Sequence, residues 1–142
     1  SIAAGATLGG LSAEGIRAAE QTGSALGLAF QLVDDLLDVE GDPDVTGKAL
    51  YTDLAEGKLT WPFILAAERD PSVLTLMQSF LQGEARAGQV LEKVAATGAY
   101  EDTRTFALAQ ADVARQALET LPGSAARDAL MVVVEAAVAR SK

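Results

Sequence analysis

The chain has 142 residues, enough for one domain with its own core, and 49% of them are apolar. It lacks cysteine and histidine, which removes disulfides, thiol nucleophiles, thiolate zinc sites and every Ser-His-Asp or Cys-His arrangement. A net charge of −9 speaks against nucleic acid, whose phosphates need a basic footprint, but not against a small phosphorylated ligand, because a bound divalent cation inverts local charge.

The apolar set is mostly Ala, Leu and Val with few aromatic residues, a composition that favours helices over sheets. In chain order, residues 1–10 are Ala/Gly-rich and read as the tail of a helix cut off upstream. Ser12 with Glu14 signals a helix start, and an apolar period then runs to about Val39, where Gly41-Asp42-Pro43 stops it. Residues 41–60 hold no sustained period and predict a structured loop with one helical turn around Asp53 to Glu56. Thr60 and Pro62 open a helix that reaches about Arg69, and Asp70-Pro71-Ser72 ends it and caps the next. Further helices are predicted over 72–82, 84–97, 99–120 and 125–140, with breaks at Gly83, Gly98 and Pro122-Gly123. The expected fold is all-α, with no strand-like alternation and no repeat. The expected core takes in Phe63, Ile64 and Leu65, the run Leu74 to Leu81, Val90, Leu91 and Val94, Phe106 and Leu108, and Leu130 to Val134. Trp61 reads as packing, and Arg140 with Lys142 as a solvated terminus. No apolar run approaches the roughly 20 residues that span a bilayer, and no basic segment precedes the apolar start. A cytoplasmic location is the expectation.

The informative stretch is Gly27-Leu28-Ala29-Phe30-Gln31-Leu32-Val33-Asp34-Asp35-Leu36-Leu37-Asp38. Residues three and four apart share a helix face, so Gln31, Asp34, Asp35 and Asp38 form a polar stripe that Gly23 and Gly27 continue. A close carboxylate pair at about 6 Å costs on the order of 2–3 kcal/mol at an effective dielectric near 20. The carboxy end of a helix disfavours each negative charge by roughly a further 0.3–1 kcal/mol. Hard oxygen donors crowded in this way suit magnesium, which keeps waters and combines a few carboxylates with substrate phosphates. A solvated acidic helix end is the competing reading; the apolar flanks and the loop that follows weigh against it.

That loop carries Gly47-Lys48 and Gly57-Lys58, with Thr46, Thr52 and Thr60. A lysine ammonium is a point charge suited to phosphate oxygens, and a glycine beside it lets backbone approach. Either pair alone reads as an ordinary surface lysine, and neither fits a Walker A loop. An acidic helix followed at once by two cations is a combination that can hold magnesium and diphosphate together.

The string Gly27-x-x-Phe30-Gln31-x-x-Asp34-Asp35-x-x-Asp38, then Gly41-Asp42, Thr46-Gly47-Lys48, Asp53-Leu54 and Gly57-Lys58-x-Thr60-x-Pro62, closely resembles the trans-isoprenyl diphosphate synthases. The resemblance implies a helical bundle of the isoprenoid synthase type, with residues 1–142 forming the carboxy-terminal part of a single domain. It implies Mg2+ bound by Asp34, Asp35 and Asp38, a diphosphate contacted by Lys48 and Lys58, Gln31 beside the reacting allyl group, and Phe30 as a pocket wall. The reaction implied is condensation of an allylic diphosphate with isopentenyl diphosphate by a homodimeric transferase of isoprenoid biosynthesis. The family carries two aspartate-rich motifs and about twice this length, and only the second motif is present here. The chain alone is therefore expected to be inactive, with the missing amino-terminal half as its partner. The alternatives are a non-catalytic helical subunit or fragment that binds a synthase, and a helical interaction domain without ligand. Terpene cyclases also use helical aspartates, but they do not match the loop lysines.

Overall fold

The computed structural model describes residues 2–40 and 51–139, and every regular element among them is helical. The helices are α1 (Ile2–Leu8), α2 (Ala13–Glu40), α3 (Thr52–Ala55), α4 (Trp61–Arg69), α5 (Ser72–Leu81), α6 (Ala87–Ala96), α7 (Ala99–Glu119) and α8 (Ala125–Ala139). The helix expected from Ser12 to Val39 is thus present within a residue at each end. The predicted turn at Asp53 is α3, and the breaks at Gly83, Gly98 and Pro122-Gly123 all fall between helices. Gly98 turns the chain at φ +76°, a region open to glycine at no steric cost.

The helix expected from residue 84 begins at Ala87 instead. The amides of Glu84 and Ala85 donate to the carbonyl of Ser79 and so finish α5. Gln89 Oε1 accepts the amide of Arg86 at 2.9 Å, satisfying a donor at the true start of α6.

The chain divides into two compact units. One takes the chain up to Val33 and again from Phe106, so it holds α1, most of α2, most of α7, and α8. Its core is unusually small-sided: Ala25 and Ala29 on α2 meet Ala111, Ala114 and Leu118 on α7 and Val134 on α8. Alanines spaced three and four apart put one bare stripe on each helix, which permits close approach of the axes. Beside this core lie two open grooves. One, of about 450 Å³, is lined by Gly23, Leu26, Gly27, Phe30, Val133 and Ala137 among others. The other, of about 680 Å³, has Ile2, Leu11, Leu121, Leu130 and Val133 among its walls.

The second unit runs from Asp34 to Thr105. Here α4, α5 and α6 pack on one another. Their inner faces are Phe63 and Ala66, Val73 and Met77, and Val90 and Val94, each pair three or four residues apart. Leu36 and Val39 of α2, Leu54 of α3, and Ala99 and Tyr100 of α7 close the cluster. Burial pushes the Tyr100 phenol well above its usual range, with the nearby charge of Glu40 adding to the effect.

The expected core is right in its centre and too generous at its edges. Phe63, Val90, Val94 and Val134 are fully or almost fully buried. Ile64, Leu74, Leu81, Leu108, Val132 and Val133 are exposed, as are Leu8, Leu28, Phe30, Leu59 and Trp61. A helix turns its side chains through 100° per residue, so a continuous apolar run cannot bury all of its members against one neighbour.

The Asp70-Pro71-Ser72 break works as its composition predicts. Asp70 Oδ1 accepts the Ser72 amide at 3.0 Å and the Ser72 hydroxyl at 2.6 Å, and Oδ2 pairs with Lys93 at 2.6 Å. The Lys93 ammonium first, and the Ser72 bonds next, hold the Asp70 carboxyl near 2, below its ordinary 3.8. A depressed acid contributes stability that is whole above the unfolded value and is lost as pH falls through the folded one. Acid titration of the melting temperature is therefore expected to show a limb between pH 3.8 and about 2 that Asp70→Asn flattens. An unchanged limb in the variant rules this out.

Candidate diphosphate site

The last turns of α2 and the segment 51–61 are laced together by carboxylate-to-amide hydrogen bonds within the second unit. The carbonyl of Asp38 accepts the amide of Tyr51 at 2.8 Å. Its side chain accepts the next two amides, Thr52 on Oδ1 and Asp53 on Oδ2, both at 3.2 Å. One aspartate thus takes three successive donors and supplies the cap that α3 lacks locally, since Tyr51 offers α3 no side-chain cap. Tyr51 reaches this position in the left-handed region, φ +64°. Asp35 does the same for α4: it is buried, and its Oδ2 accepts the Trp61 amide at 3.2 Å, the first helical residue after Thr60.

These bonds answer part of the charge problem of the stripe. Unsatisfied amides at a helix start carry partial positive charge, so α3 and α4 offset carboxylates that the end of α2 disfavours. Burial nevertheless raises the Asp38 carboxyl above its ordinary 3.8, against the pull of the Asp53 and Thr52 amides, and Asp53 and Asp34 add repulsion. The stripe is also not one environment. Asp35 lies on the buried side with Leu32, Val33 and Leu36, Asp34 and Asp38 are half-buried, and Gln31 is exposed.

Lys58 sits in the same unit. Its Nζ is 2.7 Å from Glu56 Oε2 and 2.9 Å from Asp53 Oδ1. Hydrogen bonds to Glu56 and then Asp53 hold the ammonium above the usual lysine range. Gly57 stands at φ +71°, and a Cβ there would lie 3.2 Å from Leu81 Cδ1, so this glycine serves the turn and its contact with α5. Lys48, with Thr46 and Gly47, lies outside the described residues.

Phe30 and Gln31 belong to the part of α2 in the other unit. Phe30 is half exposed and borders the smaller groove together with Gly23 and Gly27. A Cβ built on Gly27 meets nothing within 4 Å, so the bare strip expected on this helix is open there, whereas a Cβ on Gly23 would lie 3.7 Å from Ile2 of α1. The structure therefore brings Asp38, Asp53 and Lys58 together by direct bonds, and Asp35 to the start of α4. Sequence reasoning assigned no role to Asp53 or Glu56, although both lie within five residues of Lys58. Among the described residues no three His, Cys, Asp or Glu side chains converge as a metal-holding group by themselves.

The polyprenyl synthetase family model matches residues 1–97, a span that contains the whole aspartate and lysine region. This chain belongs to the polyprenyl synthetase family. It is 37% identical over 139 residues to octaprenyl diphosphate synthase of Escherichia coli, covering 95% of this chain and 43% of that protein. The crystal structure of a decaprenyl diphosphate synthase from Rhodobacter capsulatus superposes with a TM-score of 0.84 at 32% identity, over 99% of this chain and 45% of that one. A geranylgeranyl pyrophosphate synthase from Corynebacterium glutamicum, crystallised with isoprenyl diphosphate and magnesium, superposes at 0.76 with 29% identity, over 96% and 40% of the two chains. The polyprenyl synthetase chain described here thus has the helical fold of these enzymes, and spans between about a quarter and just under half the length of the relatives it matches. No described helix is long and apolar enough to cross a membrane.

Proposed function

We propose that this polyprenyl synthetase chain supplies the diphosphate-holding part of a cytoplasmic prenyltransferase that joins an allylic prenyl diphosphate to isopentenyl diphosphate. The observation that carries the reading is the bonding of Asp38 to residues 51–53, which ties the carboxylate stripe to the segment bearing Lys58. A metal-bridged diphosphate needs both charges within reach of each other.

In this reading Asp34, Asp35 and Asp38 hold Mg2+, and Lys48 and Lys58 contact the diphosphate. The donor set fits that ion. Carboxylates are hard oxygen ligands, and magnesium characteristically uses one or two of them with waters and substrate phosphates, so three-way convergence of protein groups is not required. The amide bonds of Asp35 and Asp38 leave further lone pairs on each carboxylate. Bound magnesium would offset negative charge growing on a departing diphosphate. Lys58 would add a fixed positive charge at the phosphate oxygens. Gln31 would lie beside the reacting allyl group and Phe30 would wall its pocket, where apolar surface keeps water from a carbocation. No histidine base is needed if the released diphosphate takes the proton.

The remaining partners belong to the same proposal: an amino-terminal part of the domain carrying a first aspartate cluster, and a second copy of the enzyme in a homodimer. The magnesium and isoprenyl diphosphate of the Corynebacterium glutamicum structure support the ligand assignment.

Calorimetric titration with a non-ionisable allylic diphosphate analogue tests it. Binding is expected only with magnesium present. Asp34→Ala is expected to weaken it by on the order of 100-fold, since groups that merely orient a metal ligand already cost about 10–100-fold. The chain alone is expected to give no prenyl transfer, and to give it when mixed with the amino-terminal half of a relative. Binding indifferent to magnesium, or turnover by the 142 residues alone, defeats the proposal.

A further inference from the structure

We infer that Asp53 is a positioning residue, a bridge that couples the Asp38 carboxylate to the Lys58 ammonium so that the two ends of the diphosphate site keep a set spacing. The inference rests on the site reading above and goes beyond it, because Asp53 itself touches neither metal nor substrate in that reading.

The bridge uses both ends of one residue. The main-chain N–H of Asp53 donates to Asp38 Oδ2 at 3.2 Å, and the side-chain Oδ1 accepts from Lys58 Nζ at 2.9 Å. A lysine on a solvated turn ordinarily samples many rotamers, and fixing it costs conformational entropy. Here the Lys58 side chain is 56% exposed, yet it is held at two points. The two holders differ. Asp53 is anchored, with its side chain 23% exposed and its amide bound to Asp38. Glu56 is 55% exposed, and its backbone amide bonds only within α3. Only the Asp53 contact therefore transmits the position of the acidic helix to the ammonium. Glu56 adds charge without register.

Asp53→Ala keeps the backbone N–H to Asp38 but removes both the hold on Lys58 and a negative charge beside Asp38, so the coupling is the part of the effect that depends on Lys58. In the full chain, the affinity for magnesium pyrophosphate is expected to fall about three- to fivefold in Asp53→Ala, the scale of an exposed ion pair. Asp53→Glu, which keeps the charge, is expected to recover part of it. In a Lys58→Ala background, Asp53→Ala is expected to change nothing further, because the bridge then has no far end. A merely structural role for Asp53 predicts the opposite: an equal loss with and without Lys58, together with a lower melting temperature. Unchanged affinity in Asp53→Ala, or an equal loss in both backgrounds, overturns the inference while leaving the site reading intact. If the unaltered chain fails to bind magnesium pyrophosphate, the site reading falls and the inference falls with it.

Discussion

Asp38→Ala is expected to lower stability by about 1–3 kcal/mol and to abolish magnesium-dependent diphosphate binding. The stability loss follows from the amides of Thr52 and Asp53, which lose their acceptor while the segment around them stays folded. The expected binding loss rests on the proposed role of Asp38 as an oxygen ligand of magnesium. Asp38→Asn separates the two roles. An amide oxygen can still accept one of the two N–H groups, so about half of the stability loss is expected, whereas a neutral amide is a poor magnesium ligand and binding still fails. Urea unfolding and calorimetric titration of both variants check this. Full binding by Asp38→Asn would mean that Asp38 is a cap and nothing more.

Phe63→Ala is expected to be the most damaging single change to the fold, at about 3–5 kcal/mol. Phe63 is completely buried at the centre of the cluster formed by α4, α5 and α6 and closed by Leu36 and Leu54. Truncation leaves a cavity inside a cluster drawn from six helices, whose close-packed members have little room to shift. Its neighbour supplies the control. Ile64 is 39% exposed, and Ile64→Ala is expected to cost only about 1 kcal/mol. Equal losses at 63 and 64 in denaturant unfolding would show that the inner face of α4 has been misassigned. Since whole domains are stable by only about 5–15 kcal/mol, a loss of this size removes a large fraction of the total.

Much of the helical framework was legible because its signals are local. Ser12, Asp70-Pro71-Ser72, Gly83 and Gly98 act within a turn of where they stand, and the helices begin and end beside them. The aspartate string was legible as a family resemblance, which the family match and the superposed synthases bear out. What could not be read were the partners across sequence distance. Asp38 bonds residues 51–53, Asp35 bonds residue 61, and Arg69 reaches the carbonyl of Thr97 and the carboxylate of Asp102. No periodicity announces such pairs, because each depends on where a turn returns the chain. The electrostatic reading of the stripe was incomplete for that reason: it sought a counter-charge in ions and ammonium groups and left out the backbone amides of α3 and α4, which also face these carboxylates. Exposure of Leu74, Val132 and Val133 was missed for a different cause, since apolar character alone does not say which neighbour a face will find.

The bare apolar side chains on α1, α2 and α8 have a consequence for how this chain behaves in a test tube. Leu8 is 90% exposed and Val132 65%, on a molecule whose net charge is −9. Like charge keeps copies apart in dilute buffer, where the Debye length is about 30 Å at 0.01 M salt, but that protection shrinks to about 3 Å at 1 M. Salting-out anions would strengthen hydrophobic attraction while silencing the repulsion that opposes it. Colloidal stability of the isolated chain is thus borrowed from its acidity, and low ionic strength at neutral pH is the condition in which it stays dispersed.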